Sequence, residues 1–358
     1  MSRVQTSKNS EETRSVSPIR LGDKPPKTIL LIRFLALGDV AITLPASASL
    51  RLQFPHVRID FLTSTAARPL VEAVELFDVI HALEATRGRL DRVVDALALG
   101  TQLHACRYDA VIDLQRNWTS RLLRRMMRPK YWTEFDRFSP RLAGERVRET
   151  FHRLGLTQVE PIYKLPFRQE VLSNAMKMLV DNGWDRTQPL IVLNPAGLWE
   201  TRNWPVQNYA SLAQLWLDQQ SSQFLLLGTQ RILAKAAHLK KALGDFLINL
   251  VGKTTLADAF GILQYATLII SEDSGLMHMA AASGVPTVAL FGSSNHVWSA
   301  PMGSHTRCLN SSDLPCAACM QPSCKYGDIH CLTRYSPLMV LHCARELLSH
   351  QVKTVQIS

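Results

Sequence analysis

The sequence predicts an α/β protein made of two Rossmann-like domains that face a cleft. Short apolar runs typical of buried strands alternate with stretches of helical periodicity, which favours parallel sheets with helices on both faces. This alternation is interrupted near residue 164 and begins again at residue 188. Ligands bind at the carboxyl ends of the strands in such sheets. The functional residues are therefore expected around a cleft between the domains.

The first domain is predicted at 28–170. A tail at 1–27, rich in Ser, Thr, Lys and Glu, precedes it and is expected to be disordered. The strands of this domain are predicted at 28–34, 58–63, 79–83 and 110–114, and its helices at 40–53, 67–74 and 90–104. A linker at 171–187 follows, in a region with one helix of its own.

The second domain is predicted at 188–335, and a C-terminal helix and tail at 336–358. Its strands are predicted at 189–194, 224–227, 247–250, 268–270 and 287–291, with helices near 206–219 and at 277–283. This repeats the pattern of the first domain.

The composition favours a cytoplasmic protein that meets an anionic partner. A net charge of +10 predicts attraction to nucleic acid, to an acidic membrane surface or to a phosphorylated substrate. No apolar run reaches the ~18–20 residues of a membrane span, and the N-terminal tail lacks the apolar centre of a signal peptide. Seven cysteines in such a chain argue against a disulfide framework.

The segment from Asp273 to His278 is the most informative motif, because it lies between a predicted strand and a predicted helix. Ser274 and Gly275 would leave backbone N–H groups free at the helix start, which suits a phosphate. Asp273 is a poor phosphate ligand and more plausibly holds a hydroxyl-bearing part of the same molecule. Either Asp273 or Ser274 could instead be a simple helix cap.

Two further loops follow predicted strands. Gly38 permits a close ligand approach, and Asp39 could accept a proton from a substrate hydroxyl or merely cap the next helix. In the second domain Arg202 could bind an anion through its planar guanidinium, or be an exposed loop arginine beside a buried Trp204. Gly228 and Thr229 end another strand and could line the same pocket.

A basic stretch and a cysteine cluster complete the candidate features. Residues 116–153 carry eleven Arg or Lys against four Asp or Glu, and several arginines at helical spacing predict one basic face, either solvated or anion-binding: Arg121, Arg124, Arg125 and Arg128. Four cysteines have a spacing that could hold zinc or iron, or could be reduced residues packing a compact loop: Cys316, Cys319, Cys324 and Cys331.

Taken in order, the motifs resemble bacterial lipopolysaccharide heptosyltransferases of glycosyltransferase family nine, most closely the heptosyltransferase II type. The resemblance covers 29–347. It rests on the block 29–45 around Gly38 and Asp39, on Asp113-Leu114-Gln115, on 193–205, and on 250–292 with its Asp-Ser-Gly-Leu-Met-His run. Well-studied members have lysine where Arg202 stands.

The resemblance implies a GT-B fold, an ADP-heptose donor and an inverting transfer to an acidic lipopolysaccharide core acceptor, without a cofactor for catalysis. Asp39 is expected to be the general base, and Arg202 to stabilise the leaving diphosphate. The donor would be bound by Asn194, Gly197, Gly228, Thr229, Asp273, Ser274, Gly275 and His278. The acceptor would be bound by Gly38, Gln115, Arg116, Arg121 and Arg124.

A peripheral position at the inner membrane is expected, with no nucleic acid as partner. Alternatives within enzymes are a glycosyltransferase of another nucleotide sugar and a nucleotide-sugar epimerase. A basic nucleic-acid-binding protein with a cysteine metal site and an inactive glycosyltransferase-like scaffold also remain open. A dinucleotide dehydrogenase is disfavoured, because no Gly-x-Gly-x-x-Gly follows either leading strand.

Overall fold

The computed structural model describes residues 26–84 and 89–355. The predicted N-terminal tail lies outside these residues except for its last two, and so do the last three residues of the predicted C-terminal tail. Eleven strands in the described part form two separate parallel sheets, one of five strands and one of six. An α/β architecture with two sheets is therefore confirmed.

The first sheet has the order β3-β2-β1-β4-β5. Its strands are β1 (Thr28–Ile32), β2 (Arg58–Ser64), β3 (Ile80–Leu83), β4 (Ala110–Asp113) and β5 (Tyr131–Glu134). The helices of this half are α1 (Leu37–Gln53), α2 (Arg68–Glu72), α3 (Arg89–Ala105), α4 (Trp118–Met127) and α5 (Ala143–Arg153). The central strand β1 pairs with β2 and β4, which explains its uninterrupted apolar run.

A helix α6 (Gln169–Asp181) leads to the second sheet, whose order is β11-β10-β9-β6-β7-β8. Its strands are β6 (Leu190–Asn194), β7 (Gln223–Leu226), β8 (Leu247–Asn249), β9 (Leu268–Glu272), β10 (Thr287–Leu290) and β11 (Thr306–Leu309). The helices are α7 (Val206–Leu217), α8 (Leu233–Leu243), α9 (Leu256–Leu263), α10 (Gly275–Ala282), α11 (His296–Ser299), α12 (His330–Thr333) and α13 (Pro337–Val355).

One cluster of buried apolar side chains runs through both halves of the molecule. It includes Leu31 of β1, Leu179 of α6, Val192 of β6 and Phe260 of α9. At the seam, the ring of Phe167 packs edge-on against Phe260 with centroids 4.6 Å apart. The two sheets are therefore joined by a continuous core as well as by the chain.

Both sheets reverse their strand order beside the strand that leads the domain. In the first sheet the reversal lies between β1 and β4, and in the second between β6 and β9. The loops after these four strands consequently open a crevice in each sheet, which is where α/β proteins bind ligands. Gln115, Arg202 and Asp273 lie in these loops, and Asp39 lies in the first turn of the helix after β1.

Candidate active site

The two crevices face each other because the N-termini of α1 and α10 meet. A Cβ atom built on Gly275 would lie 3.8 Å from the backbone nitrogen of Gly38. A Cβ on Gly38 would lie only 2.5 Å from Cδ2 of His278. Gly38 therefore permits this close approach, and Asp39 in the first turn of α1 is brought next to the Asp-Ser-Gly segment.

Asp39 is held by two contacts to the same oxygen. Its Oδ2 lies 2.7 Å from Nη2 of Arg33 and accepts the N–H of Ala36 at 3.0 Å. The carboxylate keeps 39% of its side chain exposed, whereas the Arg33 side chain is only 10% exposed. Both contacts leave Oδ1 of Asp39 accessible to an incoming group.

A cationic cavity of about 240 Å³ opens beside Asp39. The guanidinium groups of Arg33 and Arg146 lie 5.2 Å and 5.0 Å from the ring centroid of Phe135. Burial lowers the pKa of Arg146, and the neighbouring Arg33 lowers it further. An anion in this cavity would relieve that repulsion. The complete lining is Arg33, Leu35, Asp39, Gln115, Phe135, Arg137 and Arg146.

On the opposite side, Asp273 is 9% exposed and lies beside the side chains of Arg202 and His278. Its Oδ2 lies 3.3 Å from Nη1 of Arg202, and its Oδ1 lies 3.8 Å from Nε2 of His278. Burial opposes ionisation, but His278 and Arg202 outweigh it and lower the pKa of Asp273. Nε of Arg202 and Nδ1 of His278 are buried without a partner among the described residues. Two polar nitrogens of this site therefore have unused hydrogen-bonding capacity.

Ser274 is the N-cap of α10, which is one of the two capping alternatives that the sequence left open. Its hydroxyl accepts the N–H of Met277 at 3.3 Å and also the side-chain amide of Asn194 at 2.7 Å. The N–H groups of Gly275 and Leu276 are in the first turn and have no acceptor within the helix. The helix begins at Gly275, two residues before the predicted start, and so directs these groups and its positive end at the cleft.

The Arg202 loop, residues 195–205, joins β6 to α7. The guanidinium of Arg202 lies 4.1 Å from the ring centroid of Trp199, a cation–π contact that fixes its position. Gly228 and Thr229 follow β7, the neighbour of β6. The next residues reach the same loop, since Arg231 donates to the carbonyl of Leu198 at 3.3 Å.

The predicted basic face is wrong in one respect, because two of its arginines are already paired. Arg124 is buried, lies 3.0 Å from Glu134 and 3.3 Å from Asp113, and stacks on Trp132. Arg121 lies 2.8 Å from Glu134. The stretch 116–153 has few acidic residues, but β5 places one of them, Glu134, between the side chains of Arg121 and Arg124. Arg125 and Arg128 are exposed.

Two further predicted acceptor residues, Gln115 and Arg116, have mixed surroundings. Arg116 lies 3.4 Å from Glu134 and 3.5 Å from Asp136, and its guanidinium faces the ring of Phe138. The side-chain oxygen of Gln115 accepts the N–H of Phe34 at 2.9 Å, although Gln115 also lines the cationic cavity. Gln115 therefore shapes the loop that follows β1.

The four clustered cysteines line one cavity of about 250 Å³. All four thiols are free, and the proximity of the other three adds to burial in raising the pKa of Cys331 to about 11. Nevertheless, no group of three or more His, Cys, Asp or Glu in residues 26–84 and 89–355 is arranged to hold a metal. A structural zinc or iron there stays a prediction.

Several residues of the site were not predicted. Arg137 and Arg146 lie beyond the predicted arginine face and reach the cavity through β5 and α5, neither of which was predicted. Arg33 was visible as a charge at the end of an apolar strand. Glu272 was visible as a charge beside Asp273, but only the structure shows that it is fully buried.

In the described part of the chain, no helix is both long and apolar enough to span a bilayer.

Two doubly wound domains whose strand ends face each other form the GT-B arrangement of glycosyltransferases, which confirms the predicted fold. The chain belongs to glycosyltransferase family 9 (heptosyltransferase), whose model matches residues 96–330. The predicted family and the enzyme class, a glycosyltransferase, are confirmed. The epimerase and nucleic-acid-binding alternatives are not favoured.

Known relatives agree with this assignment. The chain is 28% identical to lipopolysaccharide heptosyltransferase 1 of Pseudomonas aeruginosa over 83% of its own length and 87% of the relative's. A solved family 9 glycosyltransferase from Veillonella parvula superposes with a TM-score of 0.78 at 22% identity, covering 90% of this chain and 98% of the other. ADP-heptose lipopolysaccharide heptosyltransferase II of E. coli superposes with a TM-score of 0.68 at 21% identity, covering 90% and 99%.

Proposed function

We propose that this enzyme transfers a heptose from ADP-heptose to an anionic lipopolysaccharide core acceptor, with inversion at the anomeric carbon. The names of the relatives supply the donor and acceptor class. The observation that carries the proposal is the meeting of the α1 and α10 N-termini. It brings an accessible carboxylate beside a diphosphate-type site. We assign the acceptor to the domain at 28–170 and the donor to the domain at 188–335.

In this mechanism Asp39 is the general base. Its carboxylate takes the proton from an acceptor hydroxyl while that oxygen attacks the anomeric carbon of the donor. Arg33 keeps the carboxylate oriented through Oδ2 and leaves Oδ1 to receive the proton. The cavity beside Asp39, with Arg33, Arg137 and Arg146, suits the negative groups of the acceptor.

The leaving diphosphate gains negative charge as the glycosidic bond to it breaks. Arg202 and the free N–H groups at the start of α10 face that charge from fixed positions, which lowers the barrier. Asp273 and His278 would hold donor hydroxyls, because Asp273 is an ionised acceptor already anchored by the side chains of Arg202 and His278. Asn194 supports this arrangement by binding Ser274.

The test compares wild type with Asp39→Asn in two assays. An asparagine side chain has nearly the same shape as aspartate, so calorimetry with ADP should give unchanged affinity, while transfer from ADP-heptose should fall by about 10²–10⁴-fold. Asp181→Asn, an exposed change on α6, is the matched control and should leave both assays unchanged. Normal turnover in Asp39→Asn would reject Asp39 as the general base. Absence of ADP binding by wild type would reject ADP-heptose as the donor.

We also propose that the enzyme works at the cytoplasmic membrane surface through an aromatic and basic patch near the cavity. Trp118 and Phe138 keep 55% and 83% of their surface exposed, although large aromatic side chains are usually buried. The helix that begins at Trp118 carries an exposed Arg125 and is followed by an exposed Arg128 at its C-cap. Aromatic side chains can enter the interfacial layer, and each nearby arginine adds about 1 kcal/mol on anionic lipid.

Sedimentation with anionic liposomes tests this attachment. Phe138→Ser and the charge reversal of Arg125 and Arg128 should each reduce the bound fraction. Phe246→Ser removes a 48% exposed phenylalanine of the second domain and should not change binding. Equal binding by all four proteins would reject the patch.

A further inference from the structure

Glu272 is a buried carboxylate that the proposed reaction does not use. It is the last residue of β9, directly before Asp273, and its side chain is fully buried. Its Oε2 accepts the N–H of Gly197 at 2.6 Å, and its Oε1 accepts the N–H of Trp204 at 2.6 Å. One carboxylate thus binds the backbone at both ends of the segment 197–204.

The packing around these two bonds leaves the segment little freedom. A Cβ atom on Gly197 would lie 2.9 Å from Oε2 of Glu272 and would collide with the carbonyl oxygen of Arg202. At the other end, Trp204 is fully buried and its indole N–H donates to the carbonyl of Tyr335 at 2.9 Å. Glu272 therefore joins β9 to a loop whose two ends are closely packed.

Arg202 is the residue that this loop presents to the cleft. Its neighbour Thr201 is bound to Ser293 at 2.8 Å, and the carbonyl of Thr201 accepts the N–H of Ser293 at 3.0 Å. If the loop were released from Glu272, the contacts of Thr201 with Ser293 would hold the backbone next to Arg202 from one side only. The cation–π contact with Trp199 would move with the loop, because both partners belong to it.

The titratable groups around Glu272 come from three elements. Lys235 of α8 donates to the carbonyl of Pro195 at 2.7 Å and attracts the carboxylate, Tyr209 of α7 hydrogen-bonds to it, and Asp273 follows it in the chain after β9. Burial raises the pKa of Glu272 to about 7, and Lys235 and the two N–H donors limit that rise. The carboxyl group is thus ionised above neutral pH and protonated below it.

Protonation would change what the group can bind. A carboxylate accepts on both oxygens, whereas a carboxylic acid carries an O–H donor on one of them. The protonated oxygen is a weaker acceptor than a carboxylate oxygen, so the bond from the N–H of Gly197 or of Trp204 would weaken. The loop is therefore held more firmly when Glu272 is ionised.

We propose that Glu272 is a positioning residue, whose ionised carboxylate holds the 197–204 loop and thereby sets Arg202 in place for the donor diphosphate. This rests on the proposed function, in which Arg202 binds that diphosphate. Lowering the pH from 8 to 6 weakens ADP binding through the loop, in addition to any titration of ADP itself.

The main experiment is a double-mutant cycle read by calorimetry with ADP at pH 8. Glu272→Gln keeps the shape but offers one acceptor instead of two, and should weaken ADP about 10-fold, which is 1.4 kcal/mol. In an Arg202→Ala background the same change should have no further effect, because Glu272 acts through Arg202. Glu346→Gln, an exposed change on α13, is the matched control and should leave affinity unchanged.

Two further readouts separate positioning from a general structural role. The pH dependence of ADP affinity between pH 6 and 8 should be smaller in Glu272→Gln than in wild type, since the contribution of Glu272 is removed. Hydrogen–deuterium exchange of peptides from 195–205 should be faster in Glu272→Gln at pH 8. Equal losses in both backgrounds, or the same pH dependence in both proteins, would overturn the proposal.

The exchange measurement also keeps this inference distinct from the proposed function. If wild type binds no ADP, the donor assignment fails, and exchange still decides whether Glu272 holds the loop. Unchanged exchange in Glu272→Gln would overturn the inference whether or not ADP binds.

Discussion

Replacing Arg202 with alanine is expected to weaken ADP binding by about 30-fold. A hydrogen bond to a charged group contributes about 1.5–3 kcal/mol, which spans about 10- to 150-fold in affinity. The Arg202 side chain is 15% exposed and lies 3.3 Å from Asp273, so solvent screens it little while Asp273 already uses part of its charge. Low exposure strengthens the interaction of Arg202 with ADP, whereas pairing with Asp273 weakens it. We therefore expect a loss of about 2 kcal/mol of binding free energy, near the middle of that range.

The assay is calorimetry with ADP in metal-free buffer on four proteins. Arg202→Lys keeps the charge but loses the planar fork, so its affinity should lie between wild type and Arg202→Ala. Arg141→Ala removes an arginine that is 61% exposed and should leave the affinity unchanged. Circular dichroism of each variant checks that the fold is retained. ADP affinity in Arg202→Ala equal to that of wild type would refute the role given to this guanidinium.

Three other measurements test separate parts of the structure. Since burial raises the pKa of Glu272 from 4.5 to about 7, the unfolding free energy of wild type relative to Glu272→Gln should fall by roughly 3 kcal/mol as pH rises from 4.5 to 7, which urea titrations of both proteins would measure. Gly38→Ala should weaken transfer more than ADP affinity by pressing on His278; equal losses would contradict this. Elemental analysis finding neither zinc nor iron would end the metal prediction for the cysteine cluster.

The two sheets could be predicted because their central strands are unbroken apolar runs. The strands β5 and β11 were missed for a related reason, since both are edge strands with half-buried, polar sequences: Tyr-Trp-Thr-Glu and Thr-Arg-Cys-Leu. Their periodicity is too short and too mixed to distinguish a strand from a loop. As a result, the sequence could not show that Glu134 reaches Arg121 and Arg124.

The residues of the candidate site also fall into those that the sequence could predict and those that it could not. Asp39, Arg202 and Asp273 could be found because each follows a predicted strand, where α/β folds collect ligand groups. Glu272 also ends a strand, but whether such a glutamate points to solvent or into the core depends on contacts with a loop 68 to 75 residues away. Contacts of that kind arise from tertiary packing, and local spacing does not encode them.

The apolar cluster that runs from β1 through α6 to α9 also limits how the two domains can be exchanged between proteins. Phe167 belongs to the chain that leaves the first domain, yet its ring contacts Phe260 of the second. A chimaera made by cutting near residue 185 would therefore keep the catalytic loops of both parents but bring together seam side chains that did not evolve as partners. Grafting a donor half from another family member requires the seam residues of α2, α6 and α9 to be transferred with it.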